Sequence, residues 1–300
     1  MAAEAGAAVA AVAVDAPPRA NARPSTLPVL GAGYSYRRAY RPDTYANRAR
    51  IGVLEIVADH FMNGSIEAER ELDLLAEHFT VIPHGLDLSL GSADGLDAAY
   101  VERFAAVVAR VRAPWWSEHV AFTRAGGVRI GHLAPLPFTT EALEVVARNL
   151  AEARRRIGAV PCALENIAAP FVLAGAEMSE PEFLSRLVER TGCHLLLDVE
   201  NLSANCANGG DDPEAFMDAL PSEAVVQVHV AGGEWIEDTY VDSHARPVAS
   251  GVWELLESAC RRFPVKAIVV ERDERLPEFG ELLGEIERAR TIGARTGRWR

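Results

Sequence analysis

Eight short, apolar, β-branched runs alternate with longer amphipathic stretches along this chain, and that alternation limits the fold more than any other feature. The runs lie at Leu27 to Gly33, Ile51 to Val57, Thr80 to Gly85, Trp115 to His119, Cys162 to Asn166, His194 to Val199, Val225 to Ala231 and Lys266 to Glu271. Helical patterns cover Pro42 to Arg50, Ile66 to Phe79, Leu96 to Val111, Thr139 to Ile157, Ser179 to Thr191, Pro213 to Leu220, Val252 to Phe263 and Pro277 to Arg290. Two carry clear start signals. Thr140 stands ahead of Glu141 and Glu144, and Ser179 ahead of Glu180, Pro181 and Glu182, so a capping hydroxyl meets acids suited to a helix N-terminus. Eight strand and helix pairs in roughly 270 residues predict one closed parallel α/β barrel of the (β/α)8 TIM type, whereas a doubly wound open sheet has about five to seven strands.

The remaining segments fit that frame. No third glycine and no helix follow Gly31-Ala32-Gly33, so the dinucleotide fingerprint is missing, and no Ser/Gly linker divides the chain. Residues 1–26 read as a disordered tail, 27–292 as the metal-binding barrel and 293–300 as a frayed end. The opening stretch has no basic leader and carries Glu4 and Asp15, so it does not read as a signal peptide. Four scattered cysteines, Cys162, Cys193, Cys206 and Cys260, form no CxxC pair and fit reduced thiols in a cytoplasmic protein. A net charge of -13 argues against a nucleic-acid surface, and no apolar run is long enough for a membrane span.

Nearly every expected strand ends in a residue able to ligate a metal. Glu55 closes the second and is followed by Asp59 and His60; His84 closes the third; Glu118 and His119 close the fourth; Glu165 and Asn166 close the fifth. Asp198 closes the sixth with Asn201 three positions on, His229 the seventh and Glu271 the eighth, while Asp242 and His244 lie in the loop after the seventh. Such positions converge on one barrel rim. Any one of them has an ordinary explanation as a cap, an ion pair or a buried hydrogen-bonded histidine, but apolar runs bring Asp198 and Glu271 to the edge of a dry core, where an unpaired carboxylate is costly. A cation removes that cost. His84, His119, His229, His244, Glu165, Glu271, Asp198 and Asp242 exceed the three protein ligands of a typical catalytic zinc, so two or three metals are expected, with Glu165 as a bridge. Imidazole and carboxylate without thiolate suit iron, manganese or zinc. His78 and His132 read as structural, and Trp115, Trp116 and Trp253 as core or barrel-base residues.

The stretches Leu54 to Phe61, His84-Gly85 with Ser89 to Gly91, Ser117 to His119, Leu164 to Asn166, Thr191 to Cys193, Leu196 to Asn201, Val228 to Gly232, Asp242 to His244 and Val270 to Asp273 occur in order. Together they resemble the multinuclear non-heme iron-dependent oxidative enzymes, long known only as a domain of unknown function, which include the iron subunit that makes methanobactin. The resemblance implies a barrel of the xylose isomerase-like kind holding two or three iron ions in mixed Fe(II) and Fe(III) states. It implies dioxygen as co-substrate and a ribosomally made precursor peptide as substrate, modified at Cys or another residue near its end by hydrogen removal from the β-carbon. Carried over by motif, His84, His119 and Glu165 form one metal pocket; Glu165, Asp198, His229 and Glu271 the next; Asn201, Asp242 and His244 the third. Glu118 is expected to orient a ligand imidazole, and Asn166 and His60 to serve catalysis. Where many members have Glu-Asn-Tyr or Asp-Asn-Phe, this chain has Asp59-His60-Phe61, and the extra imidazole is either an added ligand or a substrate contact. A separate leader-binding partner protein is also implied. Ser203 to Asp212 and Gly233 to Ser243 are candidate lid loops.

Endonuclease IV-like and sugar isomerase-like barrels share the ligand order, which leaves a zinc- or manganese-dependent hydrolase or isomerase as the alternative. A non-catalytic metal-storing barrel is a third possibility.

Overall fold

The computed structural model describes residues 26–169, 171 and 173–299, so the expected tail, Thr26 apart, lies outside the described residues. In chain order the elements are β1 (Gly31–Ser35), α1 (Arg41–Ala46), β2 (Leu54–Val57), α2 (Ile66–His78), β3 (Val81–His84), α3 (Ala98–Arg110), β4 (Trp116–His119), β5 (Phe122–Ala125) and β6 (Val128–Ala134). They continue with α4 (Thr140–Ile157), β7 (Cys162–Glu165), α5 (Glu180–Thr191), β8 (His194–Asp198), α6 (Val199–Gly209), α7 (Pro213–Asp218) and β9 (Val225–Val230). The last are β10 (Glu234–Ile236), β11 (Thr239–Val241), α8 (Ser250–Arg262), β12 (Ala267–Val270) and α9 (Phe279–Arg295). Parallel pairing closes a barrel in the order β1-β12-β9-β8-β7-β4-β3-β2, the TIM-type architecture expected from the alternation.

Two apolar layers hold it. The larger lies between strands and helices: α4, for example, buries Leu143, Val146, Ala147, Leu150, Ala153 and Ile157, the spacing of one helical face. The smaller plugs the barrel floor with Leu27, Val53, Ile82, Trp115, Ala163, Leu196, Val226, Ala267 and Val269. Leu27 therefore serves as a plug, and β1 begins at Gly31, later than its apolar run.

Several local expectations change. The hydroxyl capping α4 belongs to Thr139, which accepts from Ala142 N, while Thr140 Oγ1 bonds Glu177. Ser179 caps α5 as expected, and Gly192, in the left-handed conformation at φ 66°, ends it. Ser203 to Gly209, expected within a lid loop, belongs to α6. Its Asn- and Ser-rich composition has weak helix propensity, but Asp198 caps it by accepting Asn201 N, and Asn side chains along it hold neighbouring loops. The other expected lid is the hairpin β10-β11, and a second hairpin, β5-β6, was not foreseen. In place of a frayed end from residue 293, α9 runs to Arg295 and the Trp299 indole donates to Arg290 O at 3.1 Å.

Phe104 is fully buried, edge-on to Trp116 at 5.5 Å between ring centres. Phe104→Ala is expected to destabilise the protein by about 3–5 kcal/mol, read as a lower urea midpoint at unchanged slope.

Candidate metal centre

Inward positions at the carboxyl ends of the strands bring His84, His119, Glu165, Asp198 and His229 together, all buried. On β9 this needs a bulge. Leu195 pairs with Val225 but Leu196 with Gln227, so Val226 is an extra residue, and the strand is re-aimed to turn Gln227 and His229 into the barrel.

His84 Nε2, His119 Nε2 and Glu165 Oε2 form a triangle with sides of 3.3, 3.4 and 3.4 Å. Ligands at ~2.1 Å around a four-coordinate cation are spaced at ~3.4 Å. Each imidazole is held from behind: His84 Nδ1 meets Ser117 Oγ at 2.8 Å, and His119 Nδ1 meets Glu118 Oε1 at 3.1 Å. Glu118 also accepts His119 N and Leu88 N, so its carboxylate is fully engaged and acts as a positioning group.

The second cluster shares Glu165. His229 Nδ1 lies 3.1 Å from Glu165 Oε1, 3.1 Å from Glu271 Oε2 and 3.9 Å from Asp198 Oδ2. One oxygen of Glu165 thus faces each cluster. Beneath it, His229 Nε2 is 3.0 Å from Glu55 Oε2, Gln227 Nε2 donates to that same oxygen at 2.6 Å, and Trp115 Nε1 donates to Gln227 Oε1 at 2.7 Å. The indole fixes the amide so that its NH2 faces Glu55. When His229 gives Nε2–H to Glu55, its Nδ1 lone pair is free for a cation.

Asp242 and His244 stand outside these clusters, nearer the rim. Asp242 Oδ1 and His244 Nε2 approach to 2.8 Å, yet neither has a well-angled hydrogen bond, and buried Asn201 Oδ1 likewise has none among the described residues. Asp198 Oδ2 and Glu165 Oε2 are orphaned in the same way. Buried acceptors are rarely left so, and cations satisfy them all; the donor set fits metals. His244 also meets Asp273 at 3.2 Å, and Asp273 pairs with Arg37.

Two expected catalytic residues sit differently. Asn166 spends its amide on the backbone of Asp198, donating to its O at 3.0 Å and accepting its N at 2.9 Å, so it positions Asp198. His60 is exposed on the turn after β2 and belongs to neither cluster. His132, read as structural, lines the mouth, whereas exposed His78 packs edge-on to Tyr45. Glu55 enters the sequence reading only as a strand-end residue and Asp273 only within a matching stretch, while Gln227, absent from it, is detectable as the inward neighbour two residues before His229.

Electrostatics report the same need for positive charge. Burial opposes protonation of His119, but Glu165 and Glu118 outweigh it and raise its pKa to about 9. Burial likewise opposes charge on His229 and is overcome by Glu271, Glu55 and Glu165; on His244 it is overcome by Asp242 and Asp273. Burial and then Asp242 and Glu165 push Asp198 up, while the imidazoles hold Glu165 and Glu271 down against burial.

Residues 31–294 match the family described as RiPP precursor modification enzyme MbnB/TglH/ChrH. The chain belongs to that family. A UPF0276 protein of Streptomyces avermitilis is 41% identical over 268 residues, covering 87% of this chain and 54% of its own, so this chain spans about half its length. One from Caulobacter vibrioides is 35% identical over 260 residues, covering 86% and 92%. Among solved structures, a xylose isomerase domain containing protein from Salmonella typhimurium superposes at TM-score 0.60 with 13% identity, covering 90% and 99%. Endonuclease IV from Thermus thermophilus superposes at 0.56 with 17% identity, covering 88% and 99%. These two likenesses establish the barrel fold. The chain thus belongs to a family of precursor-modifying enzymes, and its buried clusters are a candidate metal centre. No helix among the described residues is long and apolar enough to cross a membrane.

Two outcomes are expected. Glu55→Gln should weaken metal binding ~10–100-fold at the His229 cluster alone, measured by chelator competition. Stripped of metal, the protein should lose stability as pH rises. His119 protonation stabilises the fold fully below its ordinary pKa of 6.5 and is lost as pH passes about 9, and the raised His229, His244 and Asp198 act in the same direction. Glu165 and Glu271 titrate below 4.5, outside that window. Melting curves between pH 6.5 and 9 with and without Mn(II) check this, and added metal should flatten the trend.

Proposed function

We propose that this protein is a multinuclear iron enzyme that uses dioxygen to oxidise a ribosomally made precursor peptide at Cys or another residue near its C-terminus. The observation that carries the reading is the division of Glu165 between two buried clusters, in a chain of the precursor-modifying family. Shared between the clusters, Glu165 would hold two bound cations as a single electrostatic unit, which would suit reduction of an oxidant that accepts more than one electron.

Bound iron supplies dioxygen reduction and Lewis-acid fixation of the substrate's thiolate or carboxylate. The protein's part is positioning. Glu118 and Glu55 hold ligand imidazoles in one tautomer, Asn166 and the α6 cap fix Asp198, and the apolar floor keeps water from below. Above the two clusters lies a cavity of about 630 Å³ lined by Arg37, Leu86, Asp87, Arg129, His132 and Asp273, room for a peptide side chain and its neighbours. The hairpin β5-β6 contributes Arg129 and His132 to its wall, and β10-β11 leads into Asp242, so both hairpins are its lids. A leader-binding partner protein completes the proposal.

Hydrolysis of a phosphodiester finds less support. The cations at the mouth, Arg37 and Arg129, are already paired with Asp273 and Asp87.

Protein purified without oxygen should contain iron and consume dioxygen when given its precursor peptide. Zinc alone, with no turnover after iron is restored, overturns the oxidative reading. Asp198→Ala or His229→Ala should lower turnover at least ~100-fold with the circular dichroism spectrum retained.

A further inference from the structure

Beside the metal mouth runs a second cavity, of about 570 Å³, walled by Leu136, Phe138, Met178, Leu202 and Phe216. Ile167 lines both spaces, so the two are neighbours that share its side chain as a wall. The groove is not uniformly apolar. Glu180, Asp211 and Asp212 converge near Cys206, whose thiol is pushed up to about 11 by burial and then by Asp211, Asp212 and Glu180. Among the described residues lining the groove none is cationic, and Glu180 has neither a hydrogen-bond nor an ion-pair partner among the described residues. Burial alone pushes the Glu180 carboxyl up to about 8. Glu180 opens α5 half-buried at the groove's edge, and with exposed Asp211 and Asp212 it makes one end of an otherwise apolar groove negative, which complements a ligand's ammonium or guanidinium.

We propose that this groove binds a segment of the precursor peptide in which a Lys or Arg is flanked by apolar side chains, seating it against Glu180 while a neighbouring residue enters the metal mouth past Ile167. The apolar walls take the flanking side chains, and the acidic end selects the cation. The groove is thereby a specificity subsite, fixing which residue of an extended chain reaches the metals. This rests on the peptide-substrate reading above.

The test is equilibrium binding to the full chain, with no turnover required. Two fluorescein-labelled peptide amides serve as probes, Leu-Phe-Lys-Leu and the same peptide with norleucine in place of Lys, read by fluorescence anisotropy. The Lys probe is expected to bind ~5–10-fold tighter, with an advantage that shrinks as salt rises. Glu180→Gln should erase that advantage and leave the norleucine probe unaffected. Ala215→Trp, at an exposed groove position, should weaken both probes. Equal affinity of the two probes for the native chain, binding of neither, an advantage that survives Glu180→Gln, or indifference to Ala215→Trp overturns the proposal. Binding as expected without dioxygen uptake counts against the oxidative reading alone, and uptake without the Lys preference counts against the groove alone.

Discussion

Glu165 is the residue on which the rest of this structure depends. Its buried carboxylate faces His84 and His119 with one oxygen and His229 with the other, and around it Asp198 and Glu271 add charge that a dry barrel cannot carry unaided. Without a cation, protons on the imidazoles supply the balance. With one, those protons leave, and the lone pairs they occupied become ligands. The upward shifts of the histidines and the partnerless carboxylate oxygens are thus two expressions of a single deficit of positive charge.

The scaffold meets that deficit in layers along the barrel axis. The apolar plug, Trp115 included, lies lowest, Gln227 and Glu55 lie on it, and the two clusters stand above. This order follows from strand geometry, because inward positions recur every second residue: His119 and Ser117 on β4 and Trp115 just before it descend from cluster to support to floor. The cluster imidazoles are therefore each held by a side chain of the barrel strands, Glu118 beside His119, Ser117 across from His84 and Glu55 beneath His229.

Much of this was legible from the chain. Strand-end His, Asp and Glu after apolar runs located both clusters, since a parallel barrel sends all strand ends to one rim. Other features were hidden for identifiable reasons. Asn-rich α6 reads as a loop because propensity ignores its cap and the tertiary bonds of its side chains. Asn166 resembles a catalytic group until its amide is seen bound to the Asp198 backbone, a contact between adjacent strands that sequence spacing does not encode. The supporting role of Glu55 depends on the β9 bulge at Val226, which no periodicity announces.

Helix α6 also explains how the mouth is kept in order. Asn201 donates to Asn166 O at 3.1 Å, Asn205 bonds Ile167 O and Ala169 N, and Asn208 bonds both Tyr240 O and Tyr240 N. One helix thus ties the loop after β7 and the hairpin β10-β11 to the Asp198 that caps it. The residues of the two buried clusters sit on strands or directly after them, while Asp242 and His244 sit at the foot of that hairpin, with His244 in the left-handed backbone region at φ 51°. A non-glycine residue persists there only when its surroundings demand it. Asp242 and His244 are accordingly the residues of the mouth whose placement depends on the hairpin, whereas the two buried clusters depend on the barrel strands.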